Sequence, residues 1–460
     1  MARPRKKSRQ SGSGQPKLRD ALKEQRLPAR GYELPVAKNP SVQSDEVGPT
    51  GNPGSSGLAA LAVGLARRLA DGSADDNLVF SPLSIYTALA LLAAGARDAT
   101  LDEILGVLGA RSRSELENFV SHMAADALQD RSASGGPRIA FACGIWSDLT
   151  RRLKPAFREA VVGTYKAEAS SVDFRGAPET ARSKINAWAA QVTRNLIDSV
   201  LPAGSINPAT QVVLGNAMYF KGKWEDQPFD KRDTARKPFY RLDRSQVDVP
   251  FMQSWESQLV AVHDGFKVLV LPYKMAAPDD QEEHHDPWVH SNSDHTQFSM
   301  CIFLPDAHDG LFGLLDKIAS RPGFLQDHLP QQQIALRKFR LPKFNLSFHS
   351  SVVTVLRKLG LQLPFCQEGD LSDMVEDDGS GLPIVVEDVI HKAVVEVNEE
   401  GTEAAAVTMV VAGKGCARRV WRPPPPKVDF IADHPFAYYI VEEATGAVVF
   451  AGHVVDPSKE

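Results

Sequence analysis

Helical periodicity dominates the chain from about residue 57 to residue 201, strand periodicity dominates it from residue 211 onward, and the two do not alternate. That asymmetry is the strongest constraint on the fold. A doubly wound or barrel architecture needs repeated βα units, whereas segregated helices and strands point to an α+β chain. In the first half, Leu58, Leu61, Val63, Leu65 and Leu69 mark an amphipathic helix that ends by Asp71-Gly72. Ser81-Pro82-Leu83-Ser84 reads as an N-cap with proline in the first turn, and 83–94 is apolar enough to be buried on most sides. Further helices are expected at 99–108, 113–128, 154–169 and 180–201, with one strand at 139–146. The second half offers strands at 211–220, 237–241, 247–252, 258–262, 268–271, 298–304, 333–339, 385–397, 428–431, 436–442 and 448–455. There is no internal repeat.

With 460 residues, 43% hydrophobic and 24% charged, the composition is that of a soluble globular chain whose core needs no staples. The net charge of -5 implies no general attraction to nucleic acid. No apolar run approaches the roughly 20 residues of a membrane span, and the N-terminus has no apolar signal region, so no membrane partner and no standard secretory route are expected. Cys143, Cys301, Cys366 and Cys416 lie far apart without a CxxC pair, which favours a reduced, intracellular setting.

Two segments stand apart from the globular pattern. Residues 1–56 read as a disordered extension rich in Gly, Pro, Ser and basic residues, ahead of a domain at 57–460. Its cluster Arg3-Pro4-Arg5-Lys6-Lys7-Ser8-Arg9 is open to two readings, a nuclear-import or polyanion patch, or a solvated tail. Residues 276–295 form a polar insertion. There His284, His285 and His290 with Asp279, Asp280 and Asp286 could hold a metal or simply face solvent. Solvation is the simpler reading, and neither a metal nor a cofactor is expected.

Catalytic patterns are missing. The chain contains no GxSxG, HExxH, GxxxxGK[ST] or GxGxxG after a strand. Asp377-Asp378 and Glu442-Glu443 sit in polar or edge contexts. Cys416 is a lone thiol beside Lys414, Arg418 and Arg419, cations that favour a thiolate, yet no histidine is indicated as its partner. An enzyme is not expected. Asn345-Leu346-Ser347 matches a glycosylation acceptor, which matters only for a secreted chain.

The stretch 396–412, EVNEEGTEAAAVTMVVA, is the odd one. Alternation puts Thr402, Ala404, Ala406, Thr408, Val410 and Ala412 on one uncharged face, and Gly401 supplies a hinge before it. Strand-like residues then run into Gly413-Lys414-Gly415-Cys416-Ala417-Arg418-Arg419, a basic loop tip. The residues alone allow either an ordinary strand followed by a loop or a loop able to become a strand.

Four motifs resolve this. Asn77-Leu78-Val79-Phe80-Ser81-Pro82-Leu83-Ser84-Ile85, Asn216-Ala217-Met218-Tyr219-Phe220-Lys221-Gly222-Lys223-Trp224, His391-Lys392-Ala393 followed by Glu399-Glu400-Gly401-Thr402-Glu403-Ala404-Ala405-Ala406, and Phe430-Ile431-Ala432-Asp433-His434-Pro435-Phe436 occur in that order. Together they resemble the serpins, plant serpins in particular, over about 57–457. Ala437 departs from the pattern, where a larger apolar residue is usual.

The resemblance implies a large central β-sheet with two further sheets and an exposed reactive-centre loop at 399–426. It implies a monomeric inhibitor of a serine or cysteine protease, captured covalently. The protease cleaves the loop, which then inserts into the main sheet and carries the acyl-enzyme with it. About 15 residues at about 3.3 Å each move the protease on the order of 50 Å. Deforming its oxyanion hole would cost on the order of 10² to 10³ in rate.

Counting from Gly401 places the bait bond at Gly415-Cys416, with Lys414-Gly415 as the alternative and the bonds after Arg418 and Arg419 behind both. Glu399, Glu400, Gly401, Thr402, Glu403 and Ala404–Ala406 would be the hinge. Ser81, Ser84, Asn216 and His391 would form a hydrogen-bonded cluster where the sheet opens, and Trp224 would lie where insertion starts. A non-inhibitory serpin acting as a binding or scaffold protein is the alternative, because Gly415 offers a protease pocket no side chain. The family occurs inside cells and outside them; the missing signal favours the cytoplasm, with the nucleus open through Arg3–Arg9.

Overall fold

The computed structural model describes residues 53–70, 75–276, 296–321, 323–401 and 428–459. The basic cluster Arg3–Arg9 and the histidines at 284, 285 and 290 therefore lie outside the described residues. So do Thr402, Glu403, Ala404–Ala406, Lys414, Gly415 and Cys416.

Helix α1 (Pro53–Ala70) starts with proline in its first turn, four residues before the expected boundary at Gly57, and turns Leu58, Leu61, Ala62 and Leu65 inward. Strand β1 (Leu78–Phe80) leads into α2 (Pro82–Gly95), whose cap is Ser81: its Oγ accepts the Ser84 N–H at 3.1 Å. Every residue of α2 but Ala94 is buried, which explains its apolar composition. Helices α3 (Asp98–Leu108) and α4 (Arg113–Ala125) pack on it, and β2 (Arg138–Asp148) follows.

Two expected helices are shorter than their periodicity suggests. In 154–169, α5 (Pro155–Gly163) gives way through Lys166, at φ 53°, to β3 (Glu168–Val172), which pairs in parallel with β2. In 180–201, α6 (Pro178–Val192) stops because Thr193 Oγ1 donates to the Ala189 carbonyl (2.7 Å) and accepts from the Ile197 N–H (3.1 Å). Asn186 then holds the returning chain, its Oδ1 accepting from Val200 and Leu201 N–H at 2.9 and 2.8 Å. Ile197, Val200 and Leu201 are buried, but from a loop.

Strands β4 (Val212–Lys221), β5 (Ala235–Tyr240), β6 (Gln246–Ser254), β7 (Gln258–His263), β8 (Phe266–Pro272) and β9 (Phe298–Pro305) fall where alternation puts them. Helices α7 (Leu311–Ala319) and α8 (Phe324–Asp327) precede β10 (Gln333–Ile334), β11 (Leu336–Pro342), β12 (Phe344–Ser351) and α9 (Val353–Lys358). The chain closes with β13 (Val386–Val397), β14 (Val428–Ile431), β15 (Phe436–Glu442) and β16 (Val448–Val454).

Among the described residues the strands form three sheets. A five-stranded sheet has the order β12-β13-β4-β2-β3, a seven-stranded one β1-β16-β15-β9-β8-β7-β10, and a four-stranded one β14-β11-β6-β5. Helix α2 touches β2 and β4 of the first and β16 of the second, so it lies between them. This is the α+β arrangement expected from the sequence, helices gathered early around a large sheet with two others.

Candidate functional site

Strand β13 runs antiparallel to β12 and parallel to β4. Its register with β4 extends from Val386↔Val212 to Val394↔Tyr219, whereas its register with β12 continues to Val397↔Phe344. The last residues of β13 thus extend beyond the end of the β4 pairing, and the two strands part at that end.

The seam between β4 and β13 carries a buried polar cluster. Asn216 and His391 are register partners on the two strands, and Ser81 and Ser84 meet them from the start of α2; all four are fully buried. The Ser81 N–H donates to His391 Nε2 at 2.9 Å, so His391 carries its proton on Nδ1, which donates to Asn216 Oδ1 at 2.6 Å. Ser84 Oγ donates to the same oxygen at 2.6 Å, and Asn216 Nδ2 reaches the Ile390 carbonyl at 3.3 Å. Ser81 Oγ rests against Met218 Sδ at 3.0 Å. Burial pushes the His391 pKa down to about 3, with His349 acting in the same direction, so the ring is neutral. The four residues expected to meet do meet, and every polar atom that binds the seam has a partner on another element.

At the open end, Asn398–Gly401 forms a tight turn in which Asn398 N–H donates to Gly401 O at 2.8 Å and Gly401 N–H to Asn398 O at 3.2 Å. Gly401 also bridges to Lys223, and Trp224 N–H donates to Glu400 O at 3.0 Å. The turn therefore leans into the gap beyond β4. Gly401 has φ 127°, and a Cβ there would lie 2.0 Å from the Gly222 carbonyl oxygen, so only glycine fits.

Trp224 is almost wholly buried, donates Nε1–H to the Asn398 carbonyl at 3.0 Å and stacks on Tyr273 at 4.7 Å and 19°. Glu399 is held by Lys343 Nζ (2.9 Å) and Thr234 Oγ1 (2.7 Å), while Glu400 pairs with Lys231. Burial raises the Glu399 pKa, and the hydrogen bonds from Lys343 and Thr234 outweigh it, leaving a net depression. Thr234, Lys343, Tyr273 and Asn398 are absent from the sequence reading. The first three come from remote segments, and Asn398 looks like any turn asparagine until its carbonyl meets Trp224.

A family model described as serpin (serine protease inhibitor) matches residues 56–457 of this geometry's chain. The chain belongs to the serpin family. It is 48% identical over 419 residues to Serpin-Z2A of Oryza sativa subsp. japonica, spanning 87% of this chain and 97% of that protein. It is 45% identical over 382 residues to Serpin-Z2B of Triticum aestivum, spanning 83% and 90%. Among solved structures, Arabidopsis AtSerpin1 in its native stressed conformation matches 89% of this serpin and 99% of that chain, at 38% identity and a TM-score of 0.77. Uncleaved ovalbumin, at 23% identity and a TM-score of 0.69, shares the fold. The chain is thus a serpin of the plant serpin-Z type, in a family of protease inhibitors whose partners are proteases. Ala437, the departure in its C-terminal motif, is fully buried between Phe303 and His453 on neighbouring strands.

Proposed function

We propose that this serpin is a suicide-substrate trap for endopeptidases, serine-type first and cysteine-type second, acting as a monomer that ends covalently joined to its target. The observation that carries the reading is the parallel pairing of β4 with β13. A segment that leaves β13 and reverses at Gly401 must run back antiparallel to β13. Since β4 is parallel to β13, the same segment is antiparallel to β4 as well. One slanted, slightly weaker parallel ladder is then exchanged for two antiparallel ones. The uncharged alternation from Thr402 through Ala404, Ala406, Thr408 and Val410 to Ala412 suits the buried face of such a strand.

Entry of a strand moves β4 and β13 from about 4.8 Å to about 9.6 Å apart. The 2.6 Å bond between His391 and Asn216 cannot survive that movement. The cluster is in this reading the latch that keeps the native sheet closed, and closure persists by a barrier rather than by equilibrium. Trp224 and the Glu399–Lys343 pair hold the turn where entry begins. Gly415-Cys416 is the proposed scissile bond. Lys414-Gly415 follows for trypsin-like enzymes, and cleavage after Arg418 or Arg419 would leave a slacker tether.

The test is incubation with trypsin-like, papain-like and metacaspase-like proteases followed by denaturing gels. A complex that survives SDS, with a fragment cut at one of these bonds, is the expected result. Clean cleavage by every protease, with no complex, would overturn the reading.

A further inference from the structure

Two imidazoles and a carboxylate meet away from the sheet opening, where the β9–α7 loop passes the junction of β14 and β15. His308 is exposed on that loop, and Asp433 and His434 fill the junction, half-buried and buried. Their ligand-capable atoms all lie within 4.8 Å of one another. The two rings stack at 4.5 Å and 7°, and the Tyr240 ring is tilted against His308 at 5.1 Å.

His434 is fixed at both nitrogens. Nε2 lies 2.7 Å from the Pro305 carbonyl oxygen and Nδ1 lies 2.9 Å from Asp433 Oδ1. The carbonyl only accepts, so Nε2 carries a proton. The carboxylate also only accepts, so the space between Nδ1 and Oδ1 needs a second positive centre, a proton or a metal ion. A histidine that donates one ring N–H to a backbone carbonyl, leaving the other nitrogen for an ion, is the arrangement metal-binding histidines use. The 2.9 Å separation is near the tetrahedral edge of about 3.3 Å that Zn–N and Zn–O bonds of about 2.0–2.1 Å produce.

We propose that His434 Nδ1, Asp433 Oδ1 and a ring nitrogen of His308 form a site for a divalent first-row transition ion. The two-nitrogen, one-oxygen donor set matches zinc(II) with solvent in the fourth position. Stacked parallel rings cannot aim both lone pairs at one point, so His308 must swing to complete the site. Its exposure on a loop leaves it room to do so, while His434 stays in place. A bound ion would tie the end of β14, the first described strand after residues 402–427, to the end of β9. Binding to the folded chain raises the unfolding midpoint.

The experiment uses the full chain with His284, His285, His290 and His295 replaced by alanine, so that the 276–295 segment supplies no imidazole. The chelator-stripped protein is titrated with zinc chloride by calorimetry and with cobalt(II) by visible absorption. One ion per chain, the intense visible bands of tetrahedral cobalt(II) and a midpoint raised by a few degrees are expected. His308→Ala should weaken binding by at least about tenfold and remove those bands. Asp433→Asn should weaken it likewise. Absence of one-to-one binding, or binding that His308→Ala leaves unchanged, would overturn the site.

Discussion

Strands β13 and β15 both lie between two neighbours, and they are built for opposite purposes. β15 is antiparallel to β16 on one side and to β9 on the other, and every one of its residues is buried. Its surroundings are apolar and aromatic: Tyr439 meets Phe303 edge to face at 5.7 Å, and Phe303 stacks with Phe266. β13 is antiparallel on one side, parallel on the other, and bound to β4 and α2 through a histidine, an asparagine and two serines. Packing contacts are many, small and non-directional, so a ladder like that of β15 yields gradually and only at large cost. Hydrogen bonds between buried groups are few and directional, and a seam held by them opens as one event. In the proposed trap the molecule pairs a rigid sheet with a closable one.

The largest effect should come from the segment that, in the proposed trap, would enter the seam between β4 and β13. Thr402→Arg places a guanidinium on the face that must be buried, and an unpaired buried charge costs several kcal/mol. Cleavage should continue while the SDS-stable complex disappears; a complex that persists would break the insertion model. Next in size is Phe303→Ala in the rigid sheet, expected to lower unfolding stability by about 3–5 kcal/mol in urea titration. Trapping should survive as long as the protein is folded. Loss of trapping at full stability would show that the two sheets are not separable as argued. Asn216→Ala should be smaller. It leaves the Ser84 hydroxyl and the His391 Nδ1–H without their acceptor, each worth about 1–3 kcal/mol. The loop-cleaved form should lose less than the native form, because the proposed insertion would already have broken the His391 bond there. Equal losses in the two forms, compared by thermal melting, would remove the latch role.

How much of this was legible follows the same division. β14 and β15 stand at the boundaries their alternation marks, because each is a short apolar run between turn residues. β12 escaped because FNLSFHSS alternates buried Phe344 and Leu346 with exposed Asn345 and Ser347, an edge-strand pattern too polar to stand out. The residues 193–201 misled because Ile197, Val200 and Leu201 repeat at helical spacing, while Thr193 and Asn186 decide the conformation through side-chain bonds that no periodicity reports. The cluster residues were legible through motif resemblance, their mutual distances only through the register of β4 against β13. Lys343 and Thr234 belong to the turn at Glu399 solely because tertiary structure brings them there.

The smallest expected effect is also the one that separates the two sheets by titration. His391 in the seam and His453 in β16 are both buried, and burial drives their pKa values down to about 3 and about 4, the Asp76 carbonyl opposing the shift at His453. Unfolded, each would titrate near 6.5. Between those values the unfolded chain binds a proton that the folded chain refuses, so stability is complete above about pH 6.5 and falls as pH is lowered. At pH 5 each residue removes about 2 kcal/mol relative to pH 7, from about 1.4 kcal/mol per pH unit. In His391→Asn the loss between pH 7 and pH 5 should be smaller than that of the parent by about 2 kcal/mol, the share of His391. Urea unfolding at the two pH values measures it. An undiminished loss would mean that His391 takes up a proton without opening the seam, and the polar latch would then lose its distinction from the apolar sheet beneath it.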